Sequence, residues 1–139
     1  GCDVIPYMLV QMAAAIIAAS VVGYVRADAM AQPGVLIDGQ ALLAEFTFTF
    51  ALAYVVLNVA TSKATAGNSY YGMAIGFTVL AGAFAVGDIS GAVFNPAVAV
   101  GVTLLNLSSV SNLWIFLIAN FAGAGIAAVI FKLLNPDDL

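Results

Sequence analysis

Asn95, Pro96 and Ala97 stand in the run Ser90-Gly91-Ala92-Val93-Phe94-Asn95-Pro96-Ala97-Val98-Ala99-Val100-Gly101. A carboxamide side chain carries both donors and an acceptor. Asn is a preferred helix N-cap, and Pro fits the first helical position because its missing N–H would be unpaired there anyway. The apolar run behind them, Ala97 to Leu105, is about half of the ~20 residues that span a bilayer. A half-length helix that starts at membrane depth points its positive dipole end into the protein interior. In lipid, such an interrupted backbone is tolerated only where it is buried in protein or lines a wet cavity. The motif therefore predicts a pore or a binding site. If the Asn95 oxygen caps the half-helix, its NH₂ stays free to donate to a passing oxygen. The competing reading is a purely structural cap.

Three further polar side chains sit in apolar surroundings. Glu45 lies in the stretch Ala41 to Ser62, and a carboxyl inside a spanning helix is costly and normally has a partner. A proton relay would need a second relay group. The chain has no histidine, and its other acidic residues lie outside the apolar segments. Glu45 could also sit in the head-group layer near its helix start. Gln11 and Asn120 occupy matched positions in a short internal repeat: Gln11-Met12-Ala13-Ala14-Ala15-Ile16-Ile17-Ala18-Ala19 against Asn120-Phe121-Ala122-Gly123-Ala124-Gly125-Ile126-Ala127-Ala128. Each has an amide, then Met or an aromatic, then small residues. Alanine-rich runs can coincide by chance, but repeated halves are a habit of transport folds. Both amides are expected to hydrogen-bond helix partners or half-helix backbone.

The elements that must position these groups are apolar helices. The chain is 64% hydrophobic and 7% charged, with mean hydropathy +1.13, which places it in the membrane class. Four segments meet the length of spanning helices, about 4–25, 41–62, 70–87 and 113–134, with a half-helix at about 95–105. Tyr7, Tyr24, Tyr70, Tyr71 and Trp114 lie near their ends, as interfacial aromatics do. Gly72 with Gly76, and Gly123 with Gly125, are expected at close helix contacts. Residues 27–40, with Asp28, Pro33, Gly34, Asp38 and Gly39, read as a loop; 63–69 read as a short polar turn. The net charge of −4 comes largely from ends and loops. Three basic residues give no nucleic-acid footprint. The single cysteine, Cys2, excludes an internal disulfide, and no metal cluster, phosphate loop or nucleophile triad is present. The chain opens Gly-Cys-Asp with no signal peptide pattern, so its start reads as a truncation.

With its Ser-Gly approach, its Asn-Pro-Ala box and the helices around them, the whole chain resembles the aquaporin and aquaglyceroporin family, most specifically from Gly72 to Gly125. The resemblance implies an all-α membrane fold built from inverted halves. That fold has six spanning helices and two Asn-Pro-Ala half-helices. This chain matches helices three to six and the second half-helix, so the first two helices and the first box are expected to be absent. Glu45-Phe46-Thr47-Phe48-Thr49-Phe50 resembles the family's fourth helix, whose glutamate accepts from backbone N–H groups of the re-entrant loop. Asn95 would donate to the permeating solute. Pro96 would set φ, and Ala97 would let an opposing half-helix tip approach.

The same resemblance implies passive transport of water or small neutral solutes such as glycerol, without a cofactor and without enzymatic activity. It also implies a homotetramer in the lipid bilayer with a cytoplasmic C-terminus. Lys63 and Lys132 would then lie inside and Arg26 outside, which agrees with the positive-inside rule. At the positions of the family's selectivity filter stand Ala83, Ala92 and Val98. Val98 replaces the usual arginine, and Ala83 the histidine of strict water channels. A wide apolar constriction favours small neutral solutes over water alone. Two rivals remain. One is a non-conducting structural membrane protein. The other is an intramembrane aspartyl protease, which Ala85-Val86-Gly87-Asp88 resembles weakly and which would need a second membrane aspartate to share a proton.

Overall fold

The computed structural model describes residues 3–26 and 33–138 of the chain. Cys2, Asp28 and the first part of the expected loop at 27–40, residues 27–32, lie outside the described residues. The described part consists of helices and their connections: α1 (Val4–Val25), α2 (Asp38–Val56), α3 (Tyr71–Ser90), α4 (Pro96–Leu104) and α5 (Leu113–Leu134). Helices dominate for a physical reason. With no water to pair exposed N–H and C=O groups, an apolar chain at membrane depth must satisfy its backbone internally. Among the described residues, four helical stretches are long and apolar enough to cross a membrane: Val4–Val25, Asp38–Thr61, Tyr71–Ser90 and Val110–Leu134. The fold is all-α and multi-pass.

The boundaries differ in detail from the sequence expectation. α2 begins at Asp38, ahead of Ala41, and runs on into a π-helical turn, Leu57–Thr61. Two side chains cap the carbonyls near that turn: Thr65 Oγ1 donates to the Asn58 oxygen at 2.6 Å, and Asn68 Nδ2 donates to the Val59 oxygen at 2.6 Å. α3 extends to Ser90, past Gly87. The half-helix is the short α4, with Asn95 as its cap and Pro96 as its first residue.

α2 packs against α5 and α3, while α4 packs against α1 and α5. A buried cluster of Val93, Ala99 and Phe116, joined by Leu36, Val102 and Leu113, fastens the re-entrant segment to α5. The α2–α5 contact depends on Gly123. A Cβ there would lie 2.6 Å from the Phe46 carbonyl oxygen and 3.0 Å from the Phe50 nitrogen. Small residues at an interface let helix backbones approach this closely. Gly72, Gly76 and Gly125, expected at similar contacts, are different: a methyl group added at any of them would meet nothing within 4 Å. They are open because no described element faces them. On the side where α2 and α5 end, Lys63 Nζ donates to the Asp137 carbonyl oxygen, so the short turn Pro136–Asp138 folds back under α2.

Candidate functional site: a re-entrant loop at the start of α4

Residues 92–94 join the caps of α3 and α4, Gly91 and Asn95, and two non-glycine residues there take positive φ: Ala92 at 51° and Phe94 at 50°. The left-handed region costs an L-residue roughly 1–2 kcal/mol. Something must hold the segment, and the holder is Glu45. This side chain is 0% exposed. Its Oε1 accepts from the Ser90 hydroxyl at 2.7 Å and the Val93 N–H at 2.8 Å, and its Oε2 accepts from the Phe94 N–H at 2.7 Å. Ser90 Oγ also accepts from the Ala92 N–H at 3.1 Å. Three donors converge on a group that, ionised, is acceptor-only. Buried carboxylates persist only with such partners.

Packing fixes the same loop from the other side. The Phe94 ring is 4% exposed and stacks on Phe48, centroid to centroid 5.5 Å. Gly82 of α3 makes room for it: a Cβ there would come within 2.6 Å of the Phe94 ring and 2.9 Å of Phe48 Cδ1. Asn95 then starts α4 with extended backbone, φ −153° and ψ 128°. Its Oδ1 accepts from the Ala97 N–H at 2.8 Å, which leaves its Nδ2 without a partner among the described residues.

Asn95 opens onto a cleft of about 430 Å³. Its polar lining comes from Gln11 of α1, Thr49 of α2, Asn95, and Asn120 of α5, set among apolar residues that include Leu52, Phe94 and Phe121. Gln11, Asn95 and Pro96 also border a smaller cavity of about 140 Å³, together with Ala97 and Met12. On its other side the loop borders a third cavity of about 290 Å³, where Ser90, Gly91 and Val93 meet Asp88. Among the nine residues singled out from the sequence, the cleft gathers Gln11, Asn95, Pro96 and Asn120, with Ala97 just beyond. Glu45 stands behind the loop. Ala83 and Val98 are exposed and Ala92 is half-buried, and none of these three is in the cleft wall.

Sequence reasoning passed over several contributors. Thr49 donates to Asn120 Oδ1 at 2.9 Å. Its place four residues after Glu45, on the same helix face, was a readable signal. The Phe48–Phe94–Gly82 contact had none, because it joins three elements.

A bundle of apolar helices with a capped half-helix entering it defines a class: multi-pass membrane proteins with a re-entrant segment. The family model for the major intrinsic protein matches residues 2–131, and the chain belongs to that family. It is 35% identical over 133 residues to aquaporin NIP1-4 of Oryza sativa subsp. japonica, covering 93% of this chain and 48% of that protein. Nodulin-26 of Glycine max is 33% identical over 99 residues, 71% of this chain and 36% of its own length. Probable aquaporin NIP4-2 of Arabidopsis thaliana is 31% identical over 101 residues, 73% of this chain and 35% of its length. The chain thus spans half or less of the length of these relatives. No solved structure matches.

Proposed function

We propose that the chain forms one half of the wall of a passive channel for water and small neutral solutes of glycerol size. The observation that carries this is the Asn95 carboxamide. Its oxygen is spent on the α4 cap, its NH₂ has no partner among the described residues, and it borders a cleft at the positive end of a half-helix. A donor fixed in this way receives the oxygen of a passing solute, and the helix end disfavours cations. Glu45 serves as the tether of the loop, with Gln11 and Asn120 as support on the adjoining helices.

The filter belongs to Ala83, Ala92 and Val98. Their small apolar side chains make it wide and uncharged, which favours glycerol-sized solutes. The opposite wall, with two more helices and a facing half-helix, comes from outside these residues, and the assembled protein is a homotetramer in the bilayer. Its C-terminus is cytoplasmic, on the side that carries Lys63 and Lys132.

The test is osmotic flux in proteoliposomes. One preparation holds this chain alone. The other holds a chimera in which these residues replace the matched stretch of the rice relative. The chain alone is expected to conduct no more than empty vesicles, and the chimera to pass water and glycerol. Flux through the chain alone would overturn the half-wall reading. A folded chimera without flux would favour the structural-protein alternative.

A further inference from the structure

The cavity of about 290 Å³ behind the re-entrant loop has Ser90 and Val93 in one wall and Asp88 in another. It exceeds the roughly 30 Å³ share of one water several times over, and it has polar groups to hold water. Ser90 borders this cavity and also donates to Glu45 Oε1. One hydroxyl therefore links the cavity to the buried carboxylate. Asp88, in the last turn of α3, is exposed. The charged groups around Glu45 are few. α2 carries Asp38, two helical turns earlier, and α3 carries Asp88. The loop, α4, and α5 as far as Phe131 carry none. Lys63 and Lys132 lie toward the far ends of α2 and α5, and Arg26 ends α1, which packs on α4. Only neutral donors hold the Glu45 carboxylate: one hydroxyl and two backbone amides.

We infer that Glu45 and Ser90 form an acid-responsive latch on the re-entrant loop, supplied with protons through the Asp88 cavity. One proton from water adds to Oε1, and the carboxylate becomes a neutral acid; no other group leaves or arrives. The Ser90 hydroxyl turns its O–H to the Val86 carbonyl oxygen, already 3.5 Å away, and its oxygen accepts the new Glu45 O–H. A hydroxyl has two acceptor lone pairs, so the Ala92 N–H keeps its bond to Ser90. Oε1 is then a hydroxyl oxygen and holds the Val93 N–H poorly, while Oε2 holds the Phe94 N–H without charge. Hydrogen bonds to ionised groups are roughly twice as strong as neutral ones, so both grips weaken. Positive φ at Ala92 and Phe94 then favours release, and Asn95, next in the chain, moves with the loop. The proton stops at Glu45, because the loop, α4 and α5 offer no carboxyl or histidine for an onward step. The latch rests on the tether role given to Glu45 in the channel reading, but loop release is measurable without flux.

The experiment is an acid titration of the chain in phosphatidylcholine nanodiscs, from about pH 8 to about pH 4, with ¹³C in the glutamate carboxyl and ¹⁵N in the backbone. Glu45 is the only glutamate of the chain, so the carboxyl gives one resonance. The expected result is that this resonance and the Val93 and Phe94 amides shift with one midpoint, Val93 the further, while the Ala127 amide in α5 stays still. Asp88→Asn should need about two- to fivefold more acid, because a like charge no longer favours the neutral form of Glu45. In Glu45→Gln the midpoint at Val93 and Phe94 should vanish. A carboxyl resonance that never moves overturns the latch, as does one that moves while Val93 and Phe94 stay still. An Asp88→Asn midpoint equal to the original overturns the cavity route. Ala127 shifting with the same midpoint also overturns the latch, because acid then unfolds the bundle. Flux through the chimera keeps the two readings apart. A titrating latch without flux at neutral pH sinks the channel reading alone, and flux with a motionless carboxyl resonance sinks the latch alone.

Discussion

Replacing Glu45 isolates the force that holds the re-entrant loop. In Glu45→Leu the Val93 and Phe94 amides lose their acceptors together. Each buried N–H left unpaired costs about 1–3 kcal/mol, hence about 2–6 kcal/mol for the pair. The Ser90 hydroxyl suffers less, because it can swing fully to the Val86 carbonyl, now 3.5 Å away. Glu45→Gln keeps one acceptor oxygen but turns an NH₂ toward a donor, so about one amide's worth is lost, about 1–3 kcal/mol. Meanwhile Ala92 and Phe94 sit at positive φ, and release of that strain, about 1–2 kcal/mol per residue, favours opening once the tether is gone. Amide hydrogen exchange reads this residue by residue. In Glu45→Gln, Val93 or Phe94 should exchange about 5- to 150-fold faster, at tenfold per 1.4 kcal/mol. In Glu45→Leu both should accelerate more, while the Ala127 and Phe131 amides deep in α5 change little. Unchanged exchange at Val93 and Phe94 in Glu45→Leu would refute the tether. Equal acceleration everywhere would show that Glu45 sets global stability instead. If a Glu45→Gln chimera kept its loop protection and lost only the pH dependence of transport, a proton relay would replace the tether.

Other perturbations test neighbouring steps. Gly123→Ala places a methyl 2.6 Å from the Phe46 oxygen and should destabilise the α2–α5 contact by about 1–3 kcal/mol, whereas Gly125→Ala, with open space around it, should stay within about 0.5 kcal/mol; thermal unfolding in detergent compares them. Gly82→Ala should displace Phe94 and lower chimera flux, and adding Phe94→Leu should recover part of it; no recovery would mean that the Phe94 ring is not what Gly82 accommodates. Changing Ala83 and Val98 to His and Arg in the chimera should abolish glycerol flux before water flux, read by light scattering on the same vesicles; if the two fluxes fall together, these positions do not form the filter.

Much of the fold was legible because lipid leaves few choices. Long apolar runs must become helices, and an Asn-Pro step in front of a half-length run must start a short one. Glu45 was legible as a group needing a partner, because an unpaired carboxyl at that depth is untenable. Its three partners were not readable from spacing, since they lie 45 to 49 residues away. The start of α2 at Asp38 was missed because Asp38-Gly39-Gln40 is polar and reads as loop, yet an acidic residue in a first turn suits the helix dipole. Gly125 was misread for a different reason. Small-residue spacing shows which helix face could pack closely, but only the neighbouring element decides whether it does, and of the pair it is Gly123 that α5 turns toward α2. The cleft itself was half legible. The repeat paired Gln11 with Asn120, and Thr49 shares a helix face with Glu45, but the bond between Thr49 and Asn120 emerged only when α2 and α5 were brought together.

The most direct test of the channel reading is Asn95→Asp in the chimera. Aspartate keeps an oxygen to cap the Ala97 N–H and is favoured at a helix start, so α4 and the fold should survive, which circular dichroism and Ala99 amide protection would verify. The NH₂ donor is gone, and a carboxylate faces the cleft in its place. The account predicts that water and glycerol flux through vesicles carrying the unchanged chimera far exceeds that of empty vesicles, and that in Asn95→Asp both fall toward the empty-vesicle level. A folded Asn95→Asp chimera with undiminished flux of both would contradict it.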